Sequence, residues 1–222
     1  MSANYHAFQS RNVLFADSEA GSQQWWDRFA GYDPGRVSGI LHLKTDESYV
    51  YIRYFHTWYR MNLENGHLEK EEDGQWTQRL YVNETMAIYH LFEYVKDQPV
   101  VSGQWVPGYS LYGGAARNTS QNDPLFAAFS ARFQGRMAEL IQACEKLGGK
   151  KLSKGDVGYQ FEAFERVELQ LYFWEADEDF PAQVQVLVDS TITDFLYCGT
   201  IGCLISDLFE KLIRCADAQD IQ

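Results

Sequence analysis

The segment that decides the fold runs from Val167 to Asp189 and reads VELQLYFWEADEDFPAQVQVLVD. In its first half Val167, Leu169, Leu171 and Phe173 alternate with Glu168, Gln170, Tyr172 and Trp174; in its second half Val184, Val186 and Val188 alternate with Gln183, Gln185, Leu187 and Asp189. Alternation of period two puts one set on a buried face and the other on the opposite face of a strand. Two such runs joined by a short connector containing Pro181 predict a β-hairpin. Four of the five positions from Glu175 to Asp179 are acidic and fall at its bend. They lack the glycine and the distal glutamate of a calcium loop, and adjacent acids on a bend stay solvated. The tip is therefore expected to face water, neither holding a metal nor serving as an acid–base pair.

Outward from the hairpin, the last element is the most regular in the chain. Ile201, Leu204, Ile205, Leu208, Phe209, Leu212 and Ile213 recur at helical spacing and predict an amphipathic helix with its stripe on a sheet. On the N-terminal side, Asp123-Pro124 starts a helix carrying Leu125, Phe126, Phe129 and Phe133. Gly135 breaks it, and a second piece with Met137, Leu140, Ile141 and Cys144 closes at Gly148-Gly149. A helix capped by Asn83 is expected up to the region of Pro99. Residues 37–82 hold the strand-like runs SGILHLK, SYVYIRYF, TWYRMNL and WTQRLYV, with a turn signal at Asn65-Gly66, and predict an antiparallel meander. A helix is expected from Ser22, stopped by Gly31 and Asp33-Pro34-Gly35. These elements give an α+β fold: an antiparallel sheet made of the N-terminal meander and the C-terminal hairpin, with helices on one face, as a single domain over 1–222.

Of the 222 residues, 45% are hydrophobic and 15% aromatic, so most rings are expected in the core. The formal net charge of −12 repels phosphate backbones and anionic membranes, which argues against nucleic-acid and membrane partners. The lysine-bearing stretch EKLGGKKLSKGD is read as a solvated loop. The opening MSANYHAFQSRN lacks the basic-then-apolar pattern of a secretory leader, and no apolar run is long enough to span a bilayer, so a cytoplasmic location is expected.

Chemistry is sparse. The four cysteines form no CxxC motif and none of the five histidines lies in a cluster. His42 and His56, set opposite each other on neighbouring strands, would supply only two of the three or four ligands a zinc site needs, so no metal is assigned. No nucleophile elbow, Walker loop or dinucleotide fingerprint occurs, so no catalytic residue is assigned. The long loop VVSGQWVPGYSLYGGAARNTSQN offers the best ligand site: Trp105, Tyr109 and Tyr112 supply flat surfaces, Gly113 and Gly114 a flexible nest, and Arg117 a cation. Asp189, at a strand end, either caps the following turn or points into a neighbouring cleft.

Several short motifs in order resemble domain-of-unknown-function family 3786. They are Gly103-Gln104-Trp105, Leu147-Gly148-Gly149 with Gly155-Asp156, the tip from Trp174 to Pro181, and Leu187-Val188-Asp189, spread over roughly residues 85–213. The resemblance implies an uncharacterised protein of the kind found in anaerobic bacteria and archaea, with no established activity to carry over. Some relatives bear an iron–sulfur module and some are linked to one-carbon or corrinoid metabolism, but the CxxC motifs of such a cluster are missing here. The segment CGTIGCLIS also departs from the acidic sequence relatives show there.

The expectation is thus a non-catalytic, cytoplasmic small-molecule-binding or accessory protein of unknown function, with the cofactor, if any, unnamed. An enzyme of anaerobic one-carbon or cofactor metabolism is the competing reading. A protein–protein interaction module that dimerises through exposed strand edges or aromatic surface is the third.

Overall fold

The computed structural model describes residues 28–29, 31–111 and 123–218. Helix α1 (Pro34–Leu41) leads into strands β1 (Tyr49–Tyr54), β2 (Thr57–Asn62), β3 (Leu68–Glu72) and β4 (Gln75–Thr77), which form a four-stranded antiparallel sheet in that order. Helix α2 (Val82–Tyr94), the short strand β5 (Trp105–Pro107), and helices α3 (Pro124–Phe133) and α4 (Met137–Lys146) follow. The chain then makes β6 (Lys150–Lys151), β7 (Val157–Phe164), β8 (Val167–Trp174) and β9 (Gln183–Asp189), and ends in helix α5 (Thr200–Asp217). Strands β5 to β9 make a second antiparallel sheet in the order β5-β9-β8-β7-β6.

The hairpin read from 167–189 is β8–β9, with Leu169 opposite Val188 and Phe173 opposite Val184. The meander is also present, but it does not share a sheet with the hairpin as expected from sequence. The two sheets meet where the β1–β2 turn abuts β7: Phe55 N–H donates to the Ala163 carbonyl at 3.0 Å, and the Tyr54 ring stacks on Phe164 at 4.7 Å.

Three local expectations are corrected. SGILHLK is not a strand. Asp33 accepts the Arg36 N–H at 2.9 Å, and Pro34 sits in the first turn, so the sequence that was expected to stop a helix starts α1 instead. Its buried positions Val37 and Leu41 are four apart. The same Asp-Pro pattern starts α3, where Asp123 accepts the Leu125 N–H at 2.8 Å. Second, Asn83 does not cap α2; the cap position is Tyr81, whose N–H is held by the Glu84 carboxylate at 2.8 Å. Third, Asn65-Gly66 belongs to a five-residue loop rather than a two-residue turn. Only Gly66 is left-handed there (φ 74°), and a Cβ at that glycine would strike the Phe29 ring. The helix expected from Ser22 lies outside the described residues up to Asp27.

Helix α5 packs between α2 and α4, and α3 lies against β9. Its apolar stripe is buried, and the Phe209 ring stacks on Phe129 of α3 at 4.1 Å, with Phe126 edge-on at 5.2 Å. Both stacked rings are fully buried. Replacing Phe129 or Phe209 by alanine is expected to cost about 3–5 kcal/mol, read as a lower urea midpoint with an unchanged slope.

Candidate functional site

Asp189 and Trp105 face each other across β9 and β5, so the fold brings these two expected site residues together. The Asp189 carboxylate is met by five donors at 2.6–3.2 Å: the N–H and hydroxyl of Ser102, the Gly103 N–H, and the N–H and hydroxyl of Thr191. Burial raises its pKa, but the hydrogen bonds from Thr191 and Ser102 outweigh burial and hold it down at about 2. The carboxylate therefore staples the 99–104 segment to the strand end. The side chain of Tyr109 and residues Tyr112, Gly113, Gly114 and Arg117 lie outside the described residues, so the rest of the expected loop site is not placed.

The acidic tip is a folded bend. Asp177 accepts the N–H groups of Asp179 (2.9 Å) and Phe180 (2.7 Å), and Glu175 accepts the Gly135 N–H at 2.8 Å, tying the tip to the α3–α4 joint. Asp177, Glu178 and Asp179 are exposed. Among the described residues no group of three or more His, Cys, Asp or Glu is placed to hold a metal ion. His42 and His56 are not on neighbouring strands: His42 ends α1 in a left-handed conformation, and His56 lies in the β1–β2 turn against the Arg53 guanidinium. Burial, reinforced by that guanidinium, lowers the His56 pKa and keeps the ring neutral.

A cleft of about 230 Å³ opens at the seam between the sheets. Its floor is the buried side chains of Leu41, Ile52, Leu91 and Phe164. Lys44 and Arg53 on one rim face Glu162 and Glu165 on the other, and the Trp58 ring, 44% exposed, stands on the edge. Two sequence accidents shape it. The β1–β2 and β7–β8 turns are two-residue turns without glycine, so Phe55, His56 and Arg166 take positive φ of 42°, 65° and 67°. A register shift between Glu162 and Phe164 kinks β7 where it passes the cleft. Of the five non-glycine residues with positive φ among those described, four (with His42) lie at this seam, and backbone held in that region costs on the order of 1 kcal/mol or more per residue.

Strongly perturbed titratable groups lie elsewhere, among them those of a buried network joining the meander to the helices. The Tyr54 hydroxyl donates to Asp207 Oδ2 at 2.7 Å, and the Asn83 side-chain amide donates to Asp207 Oδ1 at 3.1 Å. Tyr59 donates to Glu84 at 2.7 Å, and Lys70 reaches the same carboxylate at 3.2 Å. Burial pushes the Asp207 carboxyl up to about 7, opposed by Lys211 and the Tyr54 hydrogen bond, and raises both phenols well above their usual value. This network was missed in the sequence. The available signal was Asp207 itself, three residues after Leu204 and one before Leu208 on the flank of the α5 stripe.

An α+β protein with two antiparallel sheets joined at a seam is the class these features define. The chain belongs to the family described as Domain of unknown function (DUF3786), whose model matches residues 33–209 and so takes in the meander as well as the C-terminal half. No curated protein and no solved structure matches it. Among the described residues no helix is long and apolar enough to cross a membrane.

Two pH profiles follow. The folded Asp207 carboxyl keeps a proton that the unfolded chain, with an ordinary carboxyl near 3.8, releases, so its contribution to stability falls as pH rises from about 4 to about 7. Asp207→Asn is expected to flatten that fall, by roughly 3 kcal/mol across the window, in urea midpoints measured against pH. Asp189 behaves oppositely: its contribution is full above pH 3.8 and is lost as pH falls toward 2. Asp189→Asn is expected to cost about 2 kcal/mol at pH 7, with the gap to the native protein closing in acid.

Proposed function

We propose that this chain is a cytoplasmic, non-catalytic binding protein that holds a small metabolite in the cleft between its two sheets. The observation that carries the reading is a separation: the strongly perturbed groups Asp207, Tyr54 and Tyr59 are buried in the core, and none of them lines the cleft. An active site gathers perturbed groups and a concavity in one place. The cleft instead offers an apolar floor, a flat indole and both signs of charge, which suit a small zwitterion with a planar body. Its volume is below the roughly 300–1,000 Å³ of pockets for larger ligands, so a small metabolite fits and a large cofactor does not. In this reading Asp189 shapes the loop beside Trp105 and leaves ligand charge to other residues. The four cysteines carry free thiols, which accords with a reducing compartment.

The test is thermal unfolding with aromatic amino acids beside analogues lacking either the ammonium or the carboxylate. A zwitterion at one hundred times its Kd is expected to raise stability by about 2.7 kcal/mol, or roughly 5–10 °C, and the single-charge analogues less. Trp58→Ala and Arg53→Met are expected to weaken the shift at least tenfold in ligand concentration without lowering the unliganded melting temperature by more than about 2 °C. A flat response across the panel, or chemical turnover of a bound member, overturns the reading.

A further inference from the structure

A second concavity, of about 450 Å³, lies between α3 and the start of β9. Helix α3 and its C-cap show it Phe126, Ala127, Ser130, Ala131 and Gln134, a strip beside the Leu125, Phe129 and Phe133 face that packs into the core. The facing wall is Phe180 to Val184, the outgoing limb of the hairpin tip. Among the described residues no charged side chain lines this cavity, although 23% of the chain is charged. At its mouth Phe180 is 63% exposed, the largest exposure of any large hydrophobic among the described residues. The chain runs straight from that ring into the exposed carboxylates of Asp179, Glu178 and Asp177. Asp177 is occupied in closing the bend, so Glu178 and Asp179 carry the free negative charge. Arg132, next to Ala131 on α3, is engaged by Glu139 at 3.1 Å and Asp217 at 2.8 Å, and Arg136 is directed to Glu139 at 3.7 Å.

We infer that this groove is a second binding site, and that its ligand is a small organic cation with an apolar body: the body lies between Phe126 and Pro181, and the ammonium end lies at the mouth beside Glu178, Asp179 and the Phe180 face. The uncharged lining selects the body by burial of apolar surface, at about 25 cal/mol per Å². The acidic bend selects the sign of the head group, and an aromatic ring beside it adds cation–π attraction. An anionic amphiphile of the same shape meets repulsion from the bend and from a chain of net charge −12. The acidic tip thereby acquires a role in ligand choice that requires no metal.

The probes are phenylbutylammonium and phenylbutyrate, which share a body and differ in charge, each titrated calorimetrically into the intact chain. The cation is expected to bind about tenfold more tightly at low salt, with the preference shrinking as ionic strength rises. Filling the groove by Ala131→Trp, an exposed helix position, is expected to abolish binding of both while the urea midpoint stays near that of the native chain. The double change Glu178→Gln with Asp179→Asn is expected to equalise the two probes without abolishing either. Equal or tighter binding of phenylbutyrate by the native chain overturns the inference, as does unaltered binding after Ala131→Trp. Both outcomes leave the seam cleft untouched, since Trp58 and Arg53 lie in the other sheet.

Discussion

The phenol of Tyr54 sits where three parts of the molecule meet. Its ring stacks on Phe164 of the second sheet and lies edge-on to Tyr59 of the first, and its hydroxyl is tied to Asp207 on the last helix. The side chain is fully buried. An unmet hydroxyl there would cost free energy that only a fixed acceptor offsets, and that acceptor is itself a buried carboxyl whose pKa burial raises to about 7. The joint therefore has a narrow set of acceptable geometries. It fixes how the meander meets the hairpin sheet, and with them the shape of the seam.

That constraint accounts for the division of labour in the fold. Ionisable groups sunk in the core (Asp207, Glu84, Lys70) tie the meander to helices α2 and α5 through short contacts with Tyr54, Tyr59 and Asn83. The concavities are lined by other residues and left open. Backbone strain follows the same logic: the two-residue turns at Phe55-His56 and Glu165-Arg166 lack glycine, yet are held against each other because the rings on either side are packed.

Much of the fold was legible because local physics and the final structure agree. The β8–β9 alternation, the α5 stripe, the Asp123-Pro124 start and the Gly135 break all describe elements whose identity depends on near neighbours in sequence. Strand β3, LEKEE, escaped notice because its only deeply buried apolar residue is Leu68, and its Lys70 is buried against Glu84, a partner on α2. SGILHLK misled in the other direction, since its apolar run lost to the cap that Asp33 supplies five residues upstream.

The sequence by itself determined the class of fold, the hairpin with its solvated acidic bend and the amphipathic last helix, and it reduced Asp189 to two roles, a cap for its own following turn or a group in a cleft. These rest on periodicity and on hydrogen bonds spanning two or three residues, which a linear reading can see. Only the tertiary structure decided that the strands divide into two sheets, that Asp207 faces Tyr54 across 153 positions, and that Leu41, Ile52, Leu91 and Phe164 share one floor. Those juxtapositions come from separate elements brought together by burial. Hydrophobic burial is non-directional, so it leaves no spacing in the chain to mark where two distant segments will touch.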